Sequence, residues 1–250
     1  MKPYIGMISS DWNQCLAPCG PFDVFAYHHP DLRTELNRIF KEYTSNNMSL
    51  GQAADNIRNL VPSELTKDQM DEYLQDRFQT YGGVDDLIEW CDAHQILFMI
   101  NTTGLAGYFQ RVLALGLLPD FPVLAAHPLV SYDQSIHRPS LILNLYEITD
   151  KARHTAAAAQ QFDIPPQKIV IMGDSGGDGP HFAWGARCGA TLIGSMAKPS
   201  LMRYCADHSI KMTHQFGHTY ATGETVDPHK EAAYAFTDLI PLVESTVMAR

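Results

Sequence analysis

Short, uninterrupted apolar runs recur along the chain at the length of β-strands. They lie at residues 4–9, 96–100, 122–126, 141–145, 168–172 and 190–195. Amphipathic or alanine-rich stretches separate the later runs and predict helices. These stretches lie at residues 85–94, 106–115, 151–162 and 181–188. Unbroken apolar strands that alternate with helices are typical of a parallel sheet with helices on both faces, so we predict an α/β fold with a Rossmann-like, doubly wound parallel sheet.

The pattern changes between the first and second apolar runs. Apolar residues there recur at three- and four-residue intervals, and no strand candidate interrupts them. We therefore predict a small all-helical domain at 29–82, inserted after the first strand, with 1–28 and 83–250 forming the core domain. The tail is less regular, and it predicts an edge strand at 210–216 and closing helices within 229–246.

Polar residues that can carry chemistry follow the ends of the predicted strands. Asp11 comes after the first run, Thr102 and Thr103 come after the second, and residues 173–178 (GDSGGD) come after the fifth. Lys151 opens a predicted helix. Ligands of open parallel sheets bind outside the carboxyl ends of the strands, so we expect these residues to share one site.

The residue types suit an anion such as phosphate held against a divalent cation. Asp174 and Asp178 stand four residues apart in a glycine-rich turn, which suits a hard cation such as Mg²⁺ because that ion prefers oxygen ligands. A carboxylate at Asp11 can act as a nucleophile when a cation screens its charge. Each residue alone also has an ordinary interpretation as a turn aspartate, a helix-capping threonine pair or a surface lysine.

In order and spacing, these segments resemble the motifs of the haloacid dehalogenase (HAD) superfamily over residues 4–195. The stretch 29–82 resembles the cap domain of the phosphoserine-phosphatase-like branch, which closes over the site and selects the substrate. The resemblance implies that Asp11 attacks phosphorus to form an aspartyl-phosphate, which water then hydrolyses. It also implies Mg²⁺ as the cofactor.

The resemblance assigns roles residue by residue. The implied catalytic residues are Asp11, Asn13, Thr102 and Lys151. The implied metal ligands are Asp11, the backbone carbonyl of Asn13, Asp174 and Asp178. The residues placed against the substrate phosphate are Trp12, Thr102, Thr103, Gly104, Lys151 and Ser175. Trp12 is equally compatible with core packing.

Asn13 departs from the family pattern. The phosphatases of this family usually carry an aspartate two residues after the nucleophile, which acts as general acid and base. An amide cannot do this, and loss of such help costs on the order of 10²–10⁴ in rate. Three explanations remain: the leaving group needs no proton, another residue supplies it, or the protein binds without catalysis. His28, His29 and His181 are candidate donors by position.

Composition narrows the class of protein. The chain has 28 acidic residues against 18 Lys plus Arg, a formal net charge of −10, which argues against broad binding to nucleic acid or an anionic membrane. Five scattered cysteines form a poor disulfide framework, and together with the lack of a long apolar run they favour the cytoplasm. We predict a magnesium-dependent phosphatase acting on a small phosphorylated metabolite. The alternatives are a non-catalytic binding protein, and a hydrolase of the phosphonatase or dehalogenase type.

Overall fold

The structure of the protein, a computed structural model, describes residues 3–44, 47–132, 139–225 and 227–248. A sheet of seven strands forms its centre. The strands are β1 (Gly6–Ser10), β2 (Ile96–Leu105), β3 (Val123–His127), β4 (Leu141–Asn144), β5 (Ile169–Gly173), β6 (Thr191–Ser195) and β7 (His214–Phe216).

All strand pairs in this sheet are parallel, and the order is β4-β3-β2-β1-β5-β6-β7. Every residue of β1, β2, β3 and β5 is buried, as expected for strands covered on both faces. The strand order reverses at β1, between β2 and β5, and a crevice for a ligand forms at such a point. The predicted doubly wound α/β fold is confirmed.

Helices cover both faces of the sheet and fill the interval between β1 and β2. They are α1 (Asp23–His28), α2 (Arg33–Thr44), α3 (Leu50–Leu60), α4 (Lys67–Arg77), α5 (Val84–Ala93), α6 (Ala106–Ala114), α7 (Asp150–Gln161), α8 (Gly179–Cys188), α9 (Pro199–Asp207), α10 (Pro228–Glu231) and α11 (Ile240–Met248). The predicted helices agree with α5 to α8 within two residues at each end. The sequence pattern missed α1, which has only six residues, and α9.

The inserted segment is helical, as predicted. Ser49 and Thr66 begin α3 and α4 with reciprocal side-chain bonds to Gln52 and Gln69, which satisfy backbone N–H groups at the helix starts. Helix α4 packs on α6 of the core. The division of the chain into a core domain and a cap domain at 29–82 remains a prediction.

The tail returns to the segment that follows the inserted helices. Strand β7 is shorter than the predicted edge strand, with three residues paired to β6. The Phe236 N–H donates to the Gly82 carbonyl at 2.7 Å, and the hydroxyls of Tyr81 and Tyr220 both donate to the buried Glu231 carboxylate at 2.7 Å. Among the residues that the structure describes, no helix has the length and apolar character to cross a bilayer.

Candidate active site

Asp11 lies at the carboxyl end of the central strand β1. Its backbone N–H donates to the Met172 carbonyl of β5 at 3.0 Å, so the residue continues the pairing between these strands. Its Oδ1 accepts a hydrogen bond from the Trp12 N–H at 2.8 Å. The side chain is buried, and burial raises the pKa of Asp11, an effect that Lys151 opposes. The carboxylate is thus fixed where the strand order reverses.

The acidic turn after β5 is organised around Asp178. Its Oδ2 accepts hydrogen bonds from the backbone N–H groups of Asp174 and Ser175 at 3.0 and 3.3 Å. The Ser175 hydroxyl in return accepts from the Asp178 N–H, which closes a capping box over one short turn. A Cβ at Gly173 would lie 2.5 Å from Asp178 Cγ, so glycine is required there. Both acids are fully buried.

Lys151 joins the two acidic segments from the first turn of α7. Its Nζ lies 3.1 Å from Asp11 Oδ2 and 2.6 Å from Asp178 Oδ1, and its side chain is 2% exposed. Burial lowers the pKa of Lys151, but Asp11 and Asp178 outweigh that effect and hold the pKa above its usual range. The ammonium therefore stays charged between the two carboxylates.

Lys198 places a second cation in the site, and the sequence analysis did not predict this residue. Its Nζ donates to Asp174 Oδ2 at 2.5 Å and also to Gln14 Oε1, while its N–H donates to the Asp174 carbonyl at 2.8 Å. Burial raises the pKa of Asp174 to about 7 although Lys198 lowers it. Gln14 has a φ of 58°, a left-handed conformation that few non-glycine residues adopt. Lys198 follows β6, so the strand-end rule used above could have found it.

The three acids form a group that could hold a divalent cation. Carboxylate oxygens of Asp11, Asp174 and Asp178 lie within 4.8 Å of one another, and all three residues are buried. An all-oxygen donor set fits the preference of Mg²⁺. Donor groups already face both oxygens of Asp178 and both oxygens of Asp11, whereas Lys198 contacts Asp174 at Oδ2, so Asp174 Oδ1 is the best placed ligand atom.

Thr102 and Thr103 lie within the last residues of β2, because the strand extends to Leu105 through a register shift against β3. The alternative of a helix-capping threonine pair is wrong, since Leu105 is the N-cap residue of α6. Thr102 Oγ1 accepts from the Gly104 N–H at 3.1 Å. Thr103 Oγ1 accepts from the hydroxyl of Tyr43, on the inserted helix α2, at 2.6 Å.

Asn13 is engaged in structural hydrogen bonds. Its Oδ1 accepts from Thr102 Oγ1 at 3.3 Å, and its Nδ2 donates to the Cys19 carbonyl at 3.3 Å. The side chain therefore ties the loop after β1 both to the end of β2 and to the chain that leads into α1. Trp12 is 1% exposed and packs edge-on against Phe109 with ring centroids 5.3 Å apart, as the core-packing interpretation describes.

Two of the three histidines considered as proton donors, His181 and His28, are engaged in other hydrogen bonds. His181 Nε2 is 2.9 Å from Thr155 Oγ1, and burial, aided by Lys151, lowers the pKa of His181 to about 3, so the ring is neutral and cannot supply a proton at neutral pH. His28 Nε2 is bonded to the Gln69 carbonyl of α4 at 2.8 Å, within the inserted helices.

Comparison with solved structures identifies the fold. No protein-family model and no curated protein sequence matches the chain. Two structures of phosphoserine phosphatase, a phospho-aspartyl intermediate analogue and a substrate-bound complex, are similar to it with TM-scores of 0.67. They are 15% and 14% identical, and the alignments cover 95% of this chain and 98% and 97% of theirs.

A HAD family hydrolase from Salmonella enterica serovar Typhi is also similar, with a TM-score of 0.67 and 18% identity over 97% of this chain and 72% of its own. At these identities the likeness concerns the fold. The chain therefore shares the fold of these phosphoserine phosphatase and HAD hydrolase structures, which confirms the fold that the sequence resemblance implied.

Proposed function

We propose that the protein is a magnesium-dependent hydrolase that removes phosphate from a small phosphorylated metabolite through an aspartyl-phosphate at Asp11. The observation that carries the proposal is the buried cluster in which the Asp11 carboxylate lies beside Lys151, with Asp174 and Asp178 within 4.8 Å. Two of the similar structures are of phosphoserine phosphatase, and one of them is a phospho-aspartyl intermediate analogue, which supports this reaction class.

The reaction begins with Asp11. One of its carboxylate oxygens attacks phosphorus, and the bond from phosphorus to the leaving oxygen breaks. Lys151 places a fixed positive charge beside the nucleophile, where charge develops in the transition state. Asp11 and Asp174, with the Asn13 carbonyl as a further candidate, would hold Mg²⁺, which when bound screens negative charge between carboxylate and phosphate. Water then hydrolyses the aspartyl-phosphate.

Other residues complete the proposed site. Thr102 and Thr103 lie near the end of β2, where Thr102 contacts Asn13. We assign both threonines to the phosphoryl oxygens, together with Gly104 and Ser175. The inserted helices at 29–82 act as a cap over this edge of the sheet. We place the protein in the cytoplasm, since all five cysteines are free thiols.

A non-catalytic binding protein is the second candidate, and Asn13 favours it. Hydrogen bonds to Thr102 and Cys19 occupy the side chain at the position where an acid would transfer a proton. A phosphonatase-type or dehalogenase-type hydrolase is the third candidate, because such family members also lack this aspartate.

A screen for phosphate release tests the proposal. Purified protein is assayed with and without Mg²⁺ on phosphate monoesters and phosphonates, with halide release from haloacids as a separate readout. We expect magnesium-dependent release from related monoesters, abolished in Asp11→Asn and unchanged in Asp207→Asn, an exposed control on α9. Full activity in Asp11→Asn would refute the mechanism.

Asn13→Asp separates the first two candidates. A binding protein that has lost its acid would show no wild-type turnover and would gain turnover in the variant. A hydrolase that takes its proton from another residue would show wild-type turnover and gain little.

A further inference from the structure

Helix α2 brings the hydroxyl group of Tyr43 to the end of β2, in a site where Asn13 stands in place of the usual acid. We propose that Tyr43 is the catalytic acid of this site, giving its proton to the leaving oxygen in place of the usual aspartate. This inference rests on the proposed phosphatase function and assigns the proton donor that the reaction needs.

The geometry places Tyr43 at the end of β2. Its side chain is buried, and its hydroxyl donates to Thr103 Oγ1 at 2.6 Å. The neighbouring Thr102 is bonded to Asn13 at 3.3 Å. The Tyr43 hydroxyl therefore bonds to the residue that follows the Asn13 contact in the strand, and it reaches that residue from the inserted helix α2.

Burial and the Lys151 charge shift the pKa of Tyr43 in the same directions as the pKa of Asp11. Burial raises the pKa of Tyr43, Lys151 opposes that effect, and Asp11 and Asp178 add to it. The hydroxyl is thus protonated at neutral pH and available as a donor. An alkoxide leaving group is a stronger base than a tyrosinate, so transfer of the proton to it is favourable.

The proton balance closes over the two halves of the reaction. As Asp11 bonds to phosphorus, the leaving oxygen keeps the electron pair of the broken bond and takes the proton of Tyr43. The Lys151 ammonium stabilises the tyrosinate that remains. In the second half, the tyrosinate takes a proton from the water that attacks the aspartyl-phosphate, which restores the Tyr43 hydroxyl and releases phosphate.

Leaving-group dependence distinguishes an acid from a residue that only holds the inserted helices in place. Wild type and Tyr43→Phe are assayed on p-nitrophenyl phosphate, whose leaving group needs no proton, and on the best alkyl phosphate from the screen. We expect kcat/KM for the alkyl ester to fall by about 10²–10³ and that for the nitrophenyl ester to change by less than about threefold. We also expect a burst of nitrophenol, because hydrolysis of the aspartyl-phosphate loses its base.

Tyr132→Phe is the matched control. The Tyr132 hydroxyl also joins the core to the inserted helices, through the Leu65 and Thr66 carbonyls at 3.1 and 3.0 Å. Loss of the Tyr132 hydroxyl should change kcat/KM for both substrates by the same factor. Urea midpoints verify that each variant is folded.

Two results would overturn the inference while leaving the proposed function standing. One is a fall of kcat/KM by the same factor for both esters in Tyr43→Phe, which indicates a structural role. The other is an unchanged kcat/KM for both esters. A wild-type protein that releases phosphate from neither ester refutes the proposed function, and the assignment of Tyr43 with it.

Discussion

Removing the Lys151 ammonium should destabilise the protein more than any surface substitution. The charge lies 3.1 Å from one Asp11 oxygen and 2.6 Å from one Asp178 oxygen. With an effective dielectric constant of about 20, these separations correspond to gross attractions of about 5 and about 6 kcal/mol. Desolvation of the buried ammonium offsets much of that sum. Since removal of the ammonium leaves buried carboxylates uncompensated, we expect Lys151→Met to lower the free energy of unfolding by about 3–5 kcal/mol.

Urea unfolding in EDTA measures this loss. Lys211→Met, at an exposed lysine, serves as the control and should unfold at the wild-type midpoint. Added Mg²⁺ should raise the midpoint of Lys151→Met more than that of wild type, because the acids lack their counter-charge and ligand binding stabilises the folded state.

A double-mutant cycle isolates the contribution of the ion pair. In an Asp178→Asn background the substitution of Lys151 should cost less, with a coupling energy of about 1–3 kcal/mol. If Lys151→Met unfolds within about 1 kcal/mol of wild type in EDTA, or if the two substitutions are additive, the electrostatic account of this cluster is wrong.

Two further predictions concern the packing around the site. Arg111 of α6 donates to both oxygens of Asp71 on α4 at 2.6 and 2.8 Å, so we expect Arg111→Met to lower the free energy of unfolding in urea by about 1 kcal/mol. The control is Arg38→Met, at an exposed ion pair within one helix, and a loss in Arg111→Met no larger than in this control would contradict the prediction. Burial lowers the pKa of His127 to about 4, below its unfolded value, so its contribution to stability is complete above about pH 6.5 and is lost as the pH falls toward 4. Between pH 7 and 4.5 the free energy of unfolding of wild type should therefore fall by about 2–3 kcal/mol more than that of His127→Gln. The glutamine carbonyl can still accept the Leu129 N–H, so the two proteins differ in the titrating group, and equal losses would refute the lowered pKa of His127.

The sheet and the acidic cluster could be predicted because both depend on local sequence. An apolar run of five residues predicts a buried strand, and a parallel sheet brings the carboxyl ends of its strands to one edge. Asp11 and Asp174 follow two such runs, so their proximity follows from the pattern alone. Lys198 follows another run and could have been found by the same rule.

Contacts between distant segments could not be predicted. Tyr43 meets Thr103 across 60 residues of sequence, because α2 packs over the end of β2, and no periodic pattern reports that contact. The hydrogen bonds of Asn13 depend on where the loop after β1 turns, which no helix or strand signal specifies. The shortness of β7 reflects its place at the sheet edge, where one paired neighbour stabilises it.

The charges of the cluster make phosphate binding depend on the cation. When all are ionised, Asp11, Asp174 and Asp178 contribute −3 and Lys151 and Lys198 contribute +2, which leaves −1 in a buried site. A phosphate dianion meets net repulsion there, and burial strengthens that repulsion because the local dielectric constant is low. A divalent cation changes the sum from −1 to +1. The proposed enzyme should therefore bind phosphate weakly without Mg²⁺ and more tightly with it, while removal of either lysine shifts this balance toward a stronger requirement for the cation.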